Sequence, residues 1–166
     1  ERVLERQSQY LDALNGLQRL HAAFFEYEKS LGYSERILKI TSAELGAWRA
    51  QLERDDLSAD EETRLRKNEK YSLGLLVRTH ELAYASCMNI GKTEEALKHL
   101  DAVIENDPAR IGIQSRRAEL LAQAGRFDEA LDAISDYLRR SEEPFGHPDI
   151  QRAFELQSVC REALLQ

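Results

Sequence analysis

Proline and glycine are scarce in this chain, with three and eight copies in 166 residues. So little punctuation excludes a fold of many short strands joined by tight turns and leaves long helices. No apolar run approaches the roughly 20 residues that a membrane-crossing helix needs, and no leader pattern stands at the start, so membrane insertion is not expected of this stretch. Basic runs are missing too. Arg64, Arg66, Lys67 and Lys70 alternate with Glu61, Glu62 and Glu69, and the formal net charge is −7, which opposes attraction to a phosphate backbone. A nucleic-acid partner is therefore not expected. The two cysteines, Cys87 and Cys160, match no metal or redox spacing. They read as reduced, buried thiols suited to the cytosol, and a cytoplasmic location is the expectation. The chain opens on Glu1 rather than Met, as a piece of a longer protein would.

Signs of chemistry are equally sparse. His21, His80, His99 and His147 are scattered and form no zinc-binding pair. His80 and Cys87 stand two helical turns apart, about 10 Å, beyond the reach of proton transfer. Asp56 and Asp60 begin a calcium-loop-like spacing, but Glu61 replaces the required Gly and Lys67 the bidentate Glu. No enzyme activity, cofactor or metal is expected.

What the chain does have is helical periodicity. Residues 1–31 read as one helix in which Val3, Tyr10, Leu17, Phe24 and Leu31 recur every seven positions. Ala13, Leu20 and Tyr27 fill the intermediate places, and Arg6 interrupts the seam. Gly32 is expected to end this helix and Ser34 to cap the next, which covers 35–54 with Leu38, Thr41, Leu45, Trp48 and Leu52 inward. This hairpin, residues 1–57, either packs on the rest of the chain or forms a coiled-coil arm that makes a homodimer. Ser58 and Glu61 form a capping box for a helix over 59–90, whose charged first half is expected to jut into solvent and whose middle, at Gly74, marks a bend.

One pattern is written twice. Gly91-Lys92-Thr93-Glu94-Glu95-Ala96-Leu97 returns 34 residues later as Gly125-Arg126-Phe127-Asp128-Glu129-Ala130-Leu131. The glycines suit a helix stop at positive φ, and the alanines suit the close approach of two helices. In period and residues this resembles the tetratricopeptide family, in which each repeat is a helix, a turn and a second helix. The resemblance covers repeats at about 77–110 and 111–144. It implies an all-α stack of antiparallel helix hairpins, a TPR-like α-solenoid of about seven helices in the whole chain, with the TPR-like repeats and the closing helix over 58–166. A closing helix at 148–165 either opens a third repeat, with Ala153 or Phe154 at the packing position, or caps the stack.

The resemblance also implies that first helices line a groove. The candidate partner-binding residues are Arg78, Glu81, Ala85, Met88 and Asn89 in the first repeat. In the second they are Gly112, Ser115, Glu119, Ala122 and Gln123, with Arg116 near the rim. A family subgroup grips peptide carboxylates with Lys and Asn where Glu81 and Ala85 stand here, so that clamp is not expected. The expected function is a protein-interaction scaffold that presents this groove to a protein or peptide partner. The alternatives are a dimerisation or spacer element, or a regulatory or carbohydrate-handling domain of a larger enzyme or export assembly.

Overall fold

A computed structural model of the chain describes residues 2–165, with side chains from Gln9 onward. Among these residues it holds seven α-helices: α1 (Arg2–Ala23), α2 (Tyr27–Leu52), α3 (Ala59–Asn89), α4 (Thr93–Asn106), α5 (Gly112–Gln123), α6 (Phe127–Arg140) and α7 (Pro148–Leu164). They divide into two compact units, residues 1–92 and 93–166.

In the first unit α2 packs against both α1 and α3. The expected single helix over 1–31 is in fact two. The break comes at Phe24–Glu26, and both Gly32 and Ser34 lie inside α2. Ser34 does not cap a helix; its hydroxyl donates to the Ser30 carbonyl at 3.0 Å. The chain turns at Phe25, whose φ is 60°. Phe25 N–H donates to Ala22 O (3.1 Å) and Glu26 N–H to His21 O (2.9 Å), so the turn satisfies free carbonyls of α1 in the pattern usually built around glycine.

The heptad seam is corrected as well. Among the described side chains of α1, Leu11, Leu14 and Gln18 are buried, while Tyr10, Leu17, Leu20 and the following Phe24 are exposed. Val3 and Arg6 of that reading lie outside the residues whose side chains are described. Leu11 and Leu14 meet Ile37 of α2 and Leu75 of α3 in one apolar cluster. The capping box forms as expected, with Ser58 Oγ accepting from Glu61 N–H and the Glu61 carboxylate accepting from Ser58 N–H at 3.1 Å. The charged first half of α3 does not stand free. Leu65 is buried, Arg49 of α2 pairs with Glu69 (3.1 Å), and Ser72 donates to Glu44 of α2 (3.4 Å). Burial holds the Glu44 carboxyl above the usual carboxylate range, against the opposing pull of Ser72. α3 runs without interruption through Gly74.

In the second unit each helix packs on the one before it, α5 on α4, α6 on α5 and α7 on α6, and α7 also reaches α5. Ala118, Leu121, Ala130 and Ile134 are buried between them. The register of the last helix is resolved: Ala153 is buried and Phe154 exposed. Pro148 starts α7, and the imidazole of His147 accepts from Asp149 N–H (3.3 Å) as its cap.

Candidate partner-binding faces

The repeated motif does in space what its residues predict. Gly91 and Gly125 take φ of 74° and 75°. Lys92 N–H donates to Cys87 O and Arg126 N–H to Leu121 O, both at 2.9 Å. These are the six-to-one bonds of a Schellman closure, which only a residue tolerant of positive φ permits without strain. Five residues after each Gly, Ala96 and Ala130 are fully buried.

On α3, Arg78 is exposed and its guanidinium folds back beside Gly74, where an added Cβ would stand 3.7 Å from it. Ala85 and Asn89 are exposed, and Glu81 and Met88 half-buried. The Asn89 amide donates to the Ala85 carbonyl of its own helix at 2.8 Å, so that donor is already engaged.

On α5, Arg116 and Gln123 are exposed, and Ser115 and Glu119 half-buried. Arg116 makes no ion pair among the described residues, whereas its neighbour Arg117 turns toward α4 and pairs with Asp101 (2.6 Å). One residue was missed by sequence reasoning. Arg152 of α7 lies 3.9 Å from Glu119, which places α7 alongside α5 as a further wall of the same face. The signal available was the 34-residue period, which carries Ala118 to the neighbourhood of Ala153, but the added residues around Pro144 blurred the register.

Salt bridges fasten the turns. Arg126 pairs with Glu129 (2.6 Å) and reaches Glu94 (3.5 Å), and its hydrogen bond holds the Glu129 carboxyl below the usual range. Arg140 donates to the Pro108 carbonyl, tying the end of α6 to the loop before α5. Cys87 and Cys160 are buried and not joined in a disulfide, and burial pushes the Cys160 thiol up. Among the described residues no three His, Cys, Asp or Glu side chains gather as metal ligands would. No described helix is long and apolar enough to cross a membrane.

Residues 91–144 match the sequence model of the tetratricopeptide repeat family. Residues 91–144 carry tetratricopeptide-repeat sequence. The match begins at the turn glycine of the first repeat and runs through the second, and repeats of this kind are protein-interaction scaffolds. No curated protein was found to be similar in sequence. Among solved structures, the chain is similar to MamA AMB-1 in a P212121 form at 21% identity and a TM-score of 0.41, over 95% of this chain and 87% of that one. It is similar to MamA AMB-1 in a C2221 form at 23% and 0.41, over 96% and 93%, and to MamA MSR-1 at 19% and 0.40, over 93% and 91%. Scores at this level say nothing about what a chain binds.

Proposed function

We propose that this tetratricopeptide-repeat chain is a protein-binding module whose first helices offer their exposed faces to a segment of a protein partner. The observation that supports this most directly is the α5 face. There an unpaired guanidinium at Arg116, the amide of Gln123 and the Glu119–Arg152 pair of α5 and α7 stand on helices fixed by a buried alanine core. Arg78, Glu81, Met88, Asn89 and Ser115 extend the same reading to the other candidate positions. Helices held this firmly lose little freedom on binding, so the partner segment bears most of the ordering cost. With Glu81 and Ala85 in place of the carboxylate-gripping Lys and Asn, recognition rests on internal residues of the partner and not on its C-terminal carboxylate. Two repeats of this length do no chemistry of their own in this reading, and buried cysteines outside any disulfide fit a reducing cytosol.

An array of acidic peptides, followed by titration of the best binder, tests the proposal. Binding in the micromolar class is expected. Arg116→Glu should weaken it at least tenfold, and Asp132→Arg on the exposed side of α6 should leave it unchanged. Binding that ignores Arg116→Glu, or no specific binding to any peptide or protein probe, would overturn it.

A further inference from the structure

The outward face of α1 carries a seam of large apolar side chains that stay exposed among the described residues of the first unit. Tyr10, Leu17, Leu20 and Phe24 are 45%, 38%, 50% and 68% exposed, and with exposed Ala13 they succeed one another at intervals of three and four residues. That alternation is the signature of a helix lying against another helix at a shallow angle. Yet the side of α1 that packs on its own unit is a different one, that of Leu11, Leu14 and Gln18. From Gln9 to Phe24 the exposed positions hold only two charges, Asp12 and Arg19, of opposite sign. In a chain of net charge −7 this is a neutral window, where two identical molecules meet without like-charge repulsion.

We infer that the seam is the docking surface for a second copy of this chain, paired α1 to α1 in antiparallel orientation. The sequence of the seam is complementary to its own reverse. In one antiparallel register Ala13 of each protomer faces Phe24 of its partner, and Leu17 faces Leu20, so each small side chain receives a large one. Gly16, where an added Cβ would meet nothing within 4 Å, and Ala23 flank these layers and allow close approach. A two-fold pair of this kind uses the same patch on both molecules. Tyr10 borders the patch, held from α2 by Arg36, which donates to its hydroxyl and lies 5.8 Å from its ring centre. The seam exposes a few hundred Å² of apolar surface per protomer. With its rim the pair comes to about 1,000 Å² in total, the lower end of specific interfaces. A dimer in the micromolar class is the expectation.

Sedimentation velocity of the whole chain from about 1 to 300 μM, which brackets that affinity class, is the test. A monomer–dimer equilibrium is expected, shifted to monomer by Leu17→Glu with Leu20→Glu while the helical circular dichroism is retained. The chain with Ala13→Cys and Phe24→Cys together should oxidise to a covalent dimer, and the chain with Ala13→Cys alone should not. A monomer throughout this range overturns the proposal and leaves the seam to another protein's helix. A dimer insensitive to the two glutamates also overturns it, and efficient cross-linking through Ala13→Cys alone contradicts the antiparallel register.

Discussion

The α1–α2 hairpin of the first unit and the α5–α6 hairpin of the second close in the same way with different residues. At the second turn Gly125 supplies the positive φ, and at the first Phe25 does. Five residues on, the fully buried position is Ala130 in one and Ser30 in the other. Four further along it is Ile134 in one and Ser34 in the other. Even the turn's ion pair is kept with its signs exchanged: Arg126 with Glu129 at 2.6 Å against Glu26 with Lys29 at 2.7 Å. His21 adds a second partner for Glu26 at 2.5 Å, and Lys29 and then His21 hold that carboxyl below its usual range.

The cores differ accordingly. Among the described residues the buried polar side chains, Gln18, Ser30, Ser34, Thr41, Ser72, Thr79 and Ser86, all belong to the first unit. Gln18 donates to Ser34 (2.6 Å), Ser34 to the Ser30 carbonyl, and Ser86 to the Ser30 hydroxyl (3.4 Å). Thus α1, α2 and α3 are joined by a buried polar ladder where the second unit has alanine and branched aliphatics. What defines a helix hairpin here is the closure of the turn and the volume at its crossing, and more than one residue set meets both demands.

Substitutions at matched positions sharpen this comparison. The largest effect is expected for Ile134→Ser, which imposes on the second hairpin the residue of the first. With no ladder to join, it leaves a cavity and costs about 3 kcal/mol or more. The shift should appear in the denaturation midpoint followed by helical circular dichroism. Ser34→Ala, read through the fluorescence of Trp48, the chain's one tryptophan, should cost about 1–2 kcal/mol, because it strips Gln18 of its acceptor. Equal costs at the two sites would break the distinction between the cores. Gln18→Met has the opposite sign. The Gln18 Oε1 is buried with no hydrogen-bond partner, and removing it while Ser34 keeps its bond to Ser30 should stabilise the first unit by about 1 kcal/mol. A loss of that size would mean that the oxygen has a partner after all.

Most of the second unit was legible in the sequence because its residues are those the physics prefers: Gly at positive φ, Ala at a close crossing, Pro148 at a helix start. The first hairpin hid for the same reason in reverse. Gly32 and Ser34 advertise a helix end, yet Gly is tolerated on the exposed side of α2, and Ser34 satisfies itself on the carbonyl one turn back. Phe25 gives no sign of positive φ, since a bulky residue there is disfavoured. The spacing of Tyr10, Leu17, Leu20 and Phe24 was legible as a stripe, but spacing does not tell whether a stripe is buried in its own chain, and here these side chains are exposed. The α5 face was named from the family's geometry. The contribution of α7 through Arg152 escaped because its register drifts after Ser141.

The closure at Phe25 is the point on which the likeness of the two hairpins rests. Chemical denaturation of Phe25→Gly, read at Trp48, beside Gly125→Ala, read by circular dichroism, tests it directly. Phe25 is mostly exposed, and holding it at positive φ costs about 1–2 kcal/mol, so after the entropy of glycine Phe25→Gly should stabilise the first unit by about 0.5–1 kcal/mol. Gly125→Ala should destabilise the second by about 1 kcal/mol. Opposite signs bear the account out; a Phe25→Gly chain less stable than the parent would contradict it.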